Sequence, residues 1–277
     1  MSYVVVAHII GGLGNQMFQY AAARRLAYKR KAPLKLDLSD LETYELHKYS
    51  LQHLSIRAEI ASPEECQDLA RRKPFYLKKT LIRERRPTYE PRLKWKVPPV
   101  YLKGYWGSEK YFDDVAPLIR AEFEVSTPPS STNEAMLSEI SEAPNPVAVH
   151  VRRGDYVGNA FHVSQPLDYY KAAATGLHQA APDARFYIFS DDPQWVKDNL
   201  ALPYDVVYVT QNDAETNYED LRLMRLCKHF IIANSTFSWW GAWLSERKGK
   251  VVYAPRKWFN DPTYDTRDLI PKSWIQI

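Results

Sequence analysis

The sequence lacks the residues that would crosslink a small fold or hold a structural zinc ion. Its 277 residues include only two cysteines, Cys66 and Cys227, which lie far apart and form no C-x-x-C pair. A structural disulfide or a zinc site is therefore not expected, and a reducing compartment fits. No apolar run approaches the ~20 residues of a membrane span, and the first residues lack the basic segment of a signal peptide. These absences predict a cytoplasmic protein.

The sequence also lacks the short motifs of several enzyme classes. It contains no H-E-x-x-H, no G-x-S-x-G and no cysteine–histidine cluster with metal-binding spacing. No two aspartates are spaced D-x-D, the usual divalent-metal cradle of many enzymes that use sugar nucleotides. If the protein binds a nucleotide diphosphate, arginine must supply the neutralising charge that magnesium otherwise would. We therefore expect no metal site.

What is present is enough apolar material for one large domain or two of ordinary size. The chain is 45% hydrophobic and 25% charged, which is typical of globular proteins. Its net charge of +4 is unevenly distributed, because residues 71–96 hold eleven Lys or Arg against two Glu and sum to +9, which leaves −5 for the remainder. This basic strip, which also contains apolar residues, fits either a solvated face or a contact with anionic lipid or a phosphate-bearing acceptor. No recognised nucleic-acid motif accompanies it, and no nucleic-acid partner is expected.

Strand and helix patterns alternate along the chain. The first half has strand patterns over residues 3–10 and 34–38 and helical patterns over residues 17–30, 63–72 and 108–122. A connection rich in Pro, Ser and Thr, with a short helix inside it, covers residues 125–146. The second half has strand patterns at residues 147–151, 185–190, 205–209, 229–233 and 250–254, with helical patterns between them. This alternation predicts parallel sheets covered by helices, and two such halves joined by a hinge would place a ligand cleft between them.

The stretch over residues 147–156, V-A-V-H-V-R-R-G-D-Y, is the most informative in the chain. A short run rich in β-branched residues predicts a buried strand that stops at Arg152, Arg153, Gly154 and Asp155. In open α/β sheets the ligand crevice lies outside the carboxyl ends of the strands. A guanidinium group suits phosphate there, because its planar fork binds two oxygens and never deprotonates. The alternative is a pair of surface arginines that end an edge strand.

The glycine turn G-G-L-G-N-Q follows the first strand pattern and precedes a helix. A strand, a glycine turn and a helix start present backbone N–H groups to an anion or a sugar hydroxyl. The turn is not the dinucleotide fingerprint, because Met17 stands where the third glycine belongs, and it is not a P-loop. A tight turn that needs glycine only for backbone reasons is the alternative.

Two further polar loops follow strand patterns in the second half. In the first, Ser190 and Asp191 precede Asp192 and a proline, so an aspartate either caps the next helix or accepts bonds from a base or ribose. In the second, residues 233–241 read A-N-S-T-F-S-W-W-G. Helix capping accounts for one of its four small polar residues, and the others favour a phosphate-binding loop.

With these stretches in view, the chain resembles the α-1,2-fucosyltransferases of glycosyltransferase family 11. The resemblance rests on residues 11–20 (GGLGNQMFQY), 150–156 (HVRRGDY), 189–192 (FSDD) and 234–241 (NSTFSWWG), with residues 271–274 as a familiar ending. The arginine motif is also similar to those of α-1,6- and protein O-fucosyltransferases. The resemblance implies an α/β fold of the GT-B type, with two Rossmann-like domains facing a central cleft. According to the same resemblance, residues 1–144 form an acceptor-side domain and residues 145–277 form a domain that binds GDP-fucose.

The resemblance also implies an activity and roles for individual residues. The activity is inverting transfer of L-fucose from GDP-β-L-fucose to the 2-hydroxyl of a terminal galactose, with no cofactor and no metal. Arg152, with Arg153, neutralises the diphosphate as GDP departs, and Asn15 lines the reaction centre beside Gly14. The remaining donor-binding candidates are His150, Ser190, Asp191 and Asp192 for the guanosine side and Asn234, Ser235, Thr236 and Ser238 for the phosphates.

Inversion usually needs a group that takes the acceptor proton, and Asp155 is the nearest candidate in sequence. It either acts as this base or pairs with an arginine and orients it. Animal relatives carry an N-terminal membrane anchor that is not found here, so a bacterial enzyme of surface-polysaccharide synthesis is expected. Its acceptor would be a galactose-terminated oligosaccharide, and one alternative is an oligosaccharide that is linked to a lipid diphosphate. The basic strip would then hold the protein at the inner face of the membrane.

Three other readings compete with this one. An enzyme of the same fold could move another sugar or form another linkage, and a non-catalytic sugar-nucleotide-binding module would bind GDP without turnover. A nicotinamide oxidoreductase is disfavoured by Met17 at the third glycine position.

Overall fold

The computed structural model describes residues 3–71 and 80–277, so part of the basic strip, residues 72–79, lies outside the described residues. The chain divides into two compact units. Unit 1 comprises Met1–Ser126 and Asp265–Leu269, and unit 2 comprises Thr127–Tyr264 and Ile270–Ile277. In the part of the chain that is described, no helix is both long and apolar enough to cross a membrane.

Unit 1 is built on a parallel sheet of five strands. Its elements in chain order are β1 (Val5–His8), α1 (Leu13–Arg30), β2 (Leu34–Asp37), β3 (Glu59–Ile60), α2 (Pro63–Ala70), β4 (Leu81–Arg83), β5 (Val100–Lys103) and α3 (Ala116–Glu122). Short 3-10 turns cover Leu51–His53, Pro91–Trp95, Glu109–Tyr111 and Asp113–Val115. The strand order is β3-β2-β1-β5-β4, and all the pairings are parallel.

Helix α1 starts four residues before the expected Met17. Gly12 is its N-cap residue in extended conformation, and Gly11 has a φ of 83°, which favours glycine. The glycine turn is therefore only Gly11 and Gly12, and Gly14 lies inside the first helical turn. Sequence patterns missed this start because glycine and asparagine are weak helix formers.

Unit 2 is built on a parallel sheet of six strands. Its elements are α4 (Ser131–Glu142), β6 (Asn145–Val151), a 3-10 turn (Gly154–Tyr156), α5 (Leu167–Ala180), β7 (Ala184–Ser190), α6 (Pro193–Asn199), β8 (Asp205–Val209), α7 (Asn217–Leu226), β9 (His229–Ile231), α8 (Thr236–Leu244), β10 (Val252–Ala254) and β11 (Ile275–Gln276). The strand order is β11-β10-β9-β6-β7-β8, which is the Rossmann order, 3-2-1-4-5-6 counted within the unit.

Strand β6 lies at the centre of this second sheet. It pairs in parallel with β7 over its whole length and with β9 on its other side, so Val149 is opposite both Ile188 and Ile231. Its residues Val147 to Val151 are all buried, as a central strand of a parallel sheet requires. Helix α8 is apolar on all sides, and its three tryptophans are buried. A helix of this kind belongs in a core, and it fixes the loop that precedes it.

Two expectations differ from the structure. The compact units divide after Ser126 rather than at residue 144, because α4 packs against α7 of unit 2. The helix expected over residues 108–122 is wrong in its first half, which forms two 3-10 turns before α3. Pro117 lies at the start of α3, where its missing N–H costs nothing, and it prevents a helix from running through from residue 108.

Candidate active site

The candidate site of unit 2 lies at the point where the strand order of its sheet reverses. Strand β6 is flanked by β7 on one side and by β9 on the other, and the chain crosses between these halves. Ligands of open α/β sheets bind outside the carboxyl ends of the strands at such a switch point. Residues 152–155 follow β6, residues 191–192 follow β7 and residues 234–236 follow β9. The fold therefore brings the three predicted loops of unit 2 to one edge of the sheet.

Arg152 is held between two carboxylates. Its Nε and Nη2 donate to Oδ1 of Asp155 at 3.1 and 2.6 Å, and its Nη1 lies 3.1 Å from Oδ2 of Asp191. Burial acts to lower the pKa of the guanidinium, but the carboxylates of Asp191 and Asp155 outweigh it and hold the pKa above its usual value. Two of the five guanidinium N–H groups donate hydrogen bonds to Asp155, and Nη1 forms an ion pair with Asp191. The other N–H groups make no hydrogen bond within the described residues and can donate to an anion, and 24% of the side chain is exposed.

Arg153 is fixed by a different set of contacts. Its guanidinium carbon lies 3.4 Å from the centre of the Trp195 ring, and its Nε lies 3.3 Å from Oδ2 of Asp192. Its backbone N–H donates to Oδ1 of Asp191 at 2.9 Å, so this carboxylate holds both arginines. Arginine stacked on an indole ring loses little further freedom when it binds a planar anion.

Asp192 is the N-cap of α6, as the capping alternative predicted. Its Oδ1 accepts from the backbone N–H of Trp195 at 3.2 Å, and its own N–H donates to Ser190 Oγ at 3.0 Å. Asp191 caps nothing and faces the arginines instead. The two neighbouring aspartates thus have different structural tasks.

His150 is buried inside the strand that leads to the arginines. Burial, with a smaller effect of the nearby Arg152 charge, lowers its pKa to about 3. The imidazole is therefore neutral at physiological pH. Its ring packs against Phe237 of α8 with ring centres 5.7 Å apart, and its buried Nδ1 has no protein partner among the described residues. An unpaired buried nitrogen of this kind is a position for a ligand or a bound water.

The loop after β9 is organised by side-chain bonds. Asn234 donates to the Trp258 carbonyl at 2.8 Å, and its Oδ1 accepts from Gln165 at 3.0 Å. Ser235 is the N-cap of α8, where its Oγ accepts from the N–H of Phe237 at 3.3 Å. Ser238 is buried, and its Oγ donates to backbone carbonyls of this loop. Thr236 begins the helix and is partly exposed, so it and the first-turn N–H groups are the parts of the loop that a phosphate can contact.

Unit 1 contributes its own candidate loop after β1. Asn15 lies in the first turn of α1, and its N–H donates to the Gly12 carbonyl at 2.9 Å. The buried Gln16 ties this turn to a neighbouring loop, because its Nε2 donates to the carbonyls of Gly11 and Lys48 and its Oε1 accepts from the N–H of Ser50. Gly14 is buried and, having no side chain, can contribute backbone groups only. The turn is thus fixed before any ligand arrives.

Sequence patterns missed several contributors to the unit 2 site. Trp195 carries the stacking contact of Arg153, and Tyr156 donates from its hydroxyl to the Asn234 carbonyl at 3.2 Å while Arg152 lies over its ring. Gln165 was missed as well. Tyr156 could have been found because it lies inside the arginine motif, whereas Gln165 has no signal in the sequence. In residues 3–71 and 80–277, no group of three or more His, Cys, Asp or Glu is arranged to hold a metal ion.

Comparison with known sequences gives a family and two similar bacterial proteins. The family model described as glycosyl transferase family 11 matches residues 5–277. An α-1,2-colitosyltransferase of Escherichia coli is 33% identical over 99% of this chain and 99% of its own length. An O-antigen biosynthesis glycosyltransferase of Escherichia coli, WbnK, is 32% identical over 96% of this chain and 98% of its own.

Solved structures support the same fold. A mutant of Arabidopsis thaliana FUT1 in complex with GDP matches with a TM-score of 0.59 at 12% identity, over 99% of this chain and 76% of that one. The NodZ α-1,6-fucosyltransferase co-crystallised with GDP matches with a TM-score of 0.52 at 14% identity, over 91% and 95% of the two chains. At these identities the likeness shows the fold alone, which is the expected GT-B type. The chain belongs to glycosyltransferase family 11.

Proposed function

We propose that the protein transfers L-fucose from GDP-β-L-fucose to the 2-hydroxyl of a terminal galactoside, with inversion and without a metal ion. The observation that carries the proposal is Arg152, which lies at the strand-order switch point of unit 2 and packs over Tyr156, whose hydroxyl donates to the loop that precedes α8. This combination suits a diphosphate, since a guanidinium fork and a helix N-terminus both favour phosphate oxygens. Names of relatives that include fucosyltransferases and O-antigen synthesis support the reaction class.

In this proposal Arg152 neutralises the charge that develops on GDP as the bond to fucose breaks. Asp191 and Asp155 hold its guanidinium in place and are positioning residues. Because Oδ1 of Asp155 already accepts two bonds from Arg152, the orienting role fits Asp155 better than the role of base. Arg153, stacked on Trp195, adds a second positive charge to the phosphate side.

The remaining candidates surround this centre. His150, through its unpaired Nδ1, and Asp192 contribute to the guanosine side, with Ser190 holding the Asp192 backbone. Thr236 and the first turn of α8 bind phosphate, while Ser235, Ser238 and Asn234 shape that loop. Asn15 and Gly14 of unit 1 are the candidates for contact with the sugar of the donor. None of these assignments needs a cofactor.

A second donor is favoured by one specific observation. The relative that covers 99% of this chain at 33% identity is named a colitosyltransferase. Colitose is fucose without its 3-hydroxyl, so one hydrogen bond to that hydroxyl would separate the two donors. A site that hydrogen-bonds the hydroxyl rejects the deoxy sugar strongly, because a buried polar group would otherwise be unpaired.

Mass spectrometry of the products tests the proposal. Purified protein is incubated with GDP-fucose, GDP-colitose or GDP-mannose and a panel of β-galactosides, and the product linkage is determined. We expect a product heavier by one deoxyhexose and linked to the galactose 2-hydroxyl, with GDP-fucose preferred. A preference for GDP-colitose would establish the second donor. No transfer from any donor and no binding of GDP would overturn the proposal.

We also propose that the acceptor is a lipid-diphosphate-linked oligosaccharide and that unit 1 touches an anionic membrane. Trp95 is 76% exposed, which is unusual for so large an apolar side chain. The guanidinium of Arg30 donates to the carbonyls of Trp95 and Lys96, so the end of α1 lies beside this tryptophan. The same two segments carry the exposed side chains of Tyr28 and Val97 and the cations Lys31, Lys96 and Arg92. Exposed aromatic rings among basic residues suit the interface of an anionic bilayer.

A further inference from the structure

Unit 1 has a switch point of its own, with a polar cluster that the proposed chemistry has not used. Its strand order places β5 beside β1, so the chain direction across the sheet reverses between these two strands. Strand β1 ends at His8 and strand β5 ends at Lys103, and β2 ends next to β1 at Asp37. A parallel sheet of this kind binds ligands outside the carboxyl ends of its strands at the reversal.

Asp40 is the centre of this cluster. Its Oδ2 accepts from the imidazole of His8 at 2.7 Å and from the ammonium of Lys103 at 3.0 Å. Both bonds use the same oxygen of a carboxylate that has about four acceptor positions, so capacity for further donors remains. The Asp40 side chain is 49% exposed and that of Lys103 is 32% exposed, whereas His8 is buried beneath them.

The charges of the cluster follow from these contacts. The hydrogen bonds from Lys103 and His8 lower the pKa of the Asp40 carboxyl, which is therefore ionised at neutral pH. Burial lowers the pKa of His8, with the Lys103 charge acting in the same direction. His8 is then a neutral imidazole that donates its Nε2 hydrogen to Asp40. The cluster offers a fixed carboxylate acceptor and an ammonium donor side by side.

A second layer holds the cluster rigid from below. The hydroxyl of the buried Tyr101 donates to Oδ2 of Asp37, and Oδ1 of Asp37 accepts from the N–H of Ser39 at 3.0 Å. These bonds fix the start of the loop that carries Asp40. In the adjoining turn the Asn15 side chain lies over Gly11 and the His47 imidazole lies against Gly12, so polar side chains also border the strand ends there. A preorganised polar cluster at strand ends can bind a ligand at little cost in conformational entropy.

We propose that Asp40 and Lys103, positioned by His8, bind hydroxyl groups of the acceptor sugar. This rests on the proposed function, in which unit 2 binds the donor and an acceptor site is still to be assigned. Adjacent sugar hydroxyls both donate and accept, so a carboxylate and an ammonium at one place match them. Asp40 is a specificity residue here and not the base, because its lowered pKa makes it a weak proton acceptor.

Steady-state kinetics of two variants test the assignment. Asp40→Asn keeps the shape and removes the charge, and Lys103→Met removes the ammonium donor. For each we expect the KM for the galactoside to rise about tenfold or more, the effect of losing a hydrogen bond to a charged group. The KM for GDP-fucose and the rate of the slow hydrolysis of GDP-fucose without acceptor should change by less than about twofold. The thermal midpoint of each variant should stay close to that of the control variant.

The matched control is Asp113→Asn. Asp113 is also a half-exposed aspartate of unit 1, and its Oδ1 accepts from Lys94 Nζ at 2.7 Å. Unlike Asp40, it lies away from the strand ends. An unchanged galactoside KM in Asp40→Asn would overturn the inference. A fall in donor hydrolysis parallel to the fall in transfer would do the same, because it would place the cluster on the donor side.

A binding measurement separates this inference from the proposed function. Saturation-transfer NMR with methyl β-galactoside and no nucleotide should show a signal for the unmodified chain that weakens in Asp40→Asn and not in Asp113→Asn. This result would stand even if GDP-fucose proved to be the wrong donor. No signal for the galactoside, or competition by free L-fucose at the same cluster, would overturn the acceptor assignment.

Discussion

At the residue scale, Arg152 shows how a buried charge is kept ready for a ligand. Two carboxylates hold it from different sides, through Asp155 on the same loop and Asp191 on the neighbouring strand end. Removing one partner of such a pair leaves an uncompensated charge, which is why both carboxylates matter for stability as well as for geometry. The guanidinium is then oriented before any ligand binds.

Gly154 allows this arrangement to be tested without removing any charged group. A Cβ added there would lie 2.6 Å from Oδ2 of Asp191, so the carboxylate must move away. We expect Gly154→Ala to lower kcat/KM for transfer by about tenfold, because a displaced positioning group costs orientation more than stability. Initial-rate kinetics and thermal unfolding check this. Gly107→Ala is the control, since its Cβ would meet only ordinary packing at 3.6 Å, and equal rates in both variants would contradict the role of Asp191.

His150 makes a prediction about pH. Its pKa is about 3 in the folded chain because of burial and about 6.5 when exposed. The unfolded chain therefore binds a proton that the folded one does not, and stability falls as the pH drops from about 6.5 towards 3. Between pH 7 and pH 5 the loss is about 2 kcal/mol for this group. In urea unfolding followed by tryptophan fluorescence, His150→Gln should show a pH dependence smaller by about that amount, and an unchanged dependence would contradict it.

At this scale the sequence predicted where the polar loops lie but not what they contact. Residues 152–155 follow a buried strand as expected, because alternating β-branched residues leave few other structures. Arg153 stacks on Trp195, which lies 42 positions away in the sequence. The two loops meet only because β6 and β7 pair in parallel in this register. Such pairings depend on the sheet order, which one sequence does not encode in any local pattern.

At the scale of elements, helix α1 is fixed to unit 1 by one buried carboxylate. Oε2 of Glu122, at the end of α3, accepts from the Tyr20 hydroxyl at 2.6 Å, and the Arg24 guanidinium donates to both of its oxygens. Glu122 is 4% exposed, so these bonds are made away from water. The helix that presents Asn15 is held in place by this contact near its middle.

Replacing Glu122 by Gln should therefore be costly. We expect the free energy of unfolding to fall by about 3 kcal/mol, because Arg24, which is 14% exposed, loses its charged partner. Asp114→Asn is the matched control, since Asp114 also bonds an arginine of α1, Arg25 at 2.8 Å, but is more exposed, and it should cost about 1 kcal/mol or less. Chemical denaturation of both variants checks this, and equal losses would mean that the burial of Glu122 is unimportant.

The elements themselves were predicted unevenly. In unit 2 the five main strands were predicted with ends within two residues, and helices lie between them as expected, since long apolar patterns alternate there. In unit 1 the strands β3, β4 and β5 were missed, because they are two to four residues long and lie among polar and basic residues. Short strands carry too few alternating positions to be recognised without the sheet that pairs them.

At the scale of the whole molecule, the surface around Trp95 predicts membrane attachment. Lys31→Glu combined with Lys96→Glu reverses two cations of this surface, each of which contributes about 1 kcal/mol near an anionic bilayer. We expect co-sedimentation with vesicles that contain phosphatidylglycerol to fall at least about tenfold, and Trp95→Ala to weaken it as well. Vesicles of phosphatidylcholine alone should bind little.

Lys171→Glu combined with Lys272→Glu is the control, because it makes the same change in net charge at exposed lysines of unit 2. Equal loss of binding in the two double variants would show that net charge and not this surface attracts the vesicles. If the Lys31→Glu, Lys96→Glu variant bound the vesicles as well as the unmodified chain does, the surface around Trp95 would be ruled out as the membrane contact.

Arg152 is the residue on which the proposed activity depends most, because we propose that it neutralises the departing GDP. The most direct measurement is the initial rate of transfer from GDP-fucose to a β-galactoside in EDTA, for the unmodified chain and for Arg152→Ala. Arg185→Ala is the control, since Arg185 also contacts two carboxylates but lies at the opposite end of β7. We predict that EDTA leaves the unmodified rate unchanged, that Arg152→Ala lowers kcat about 100-fold or more, and that the control stays close to the unmodified rate. Loss of the unmodified activity in EDTA, or a rate in Arg152→Ala equal to that of the control, would contradict the account.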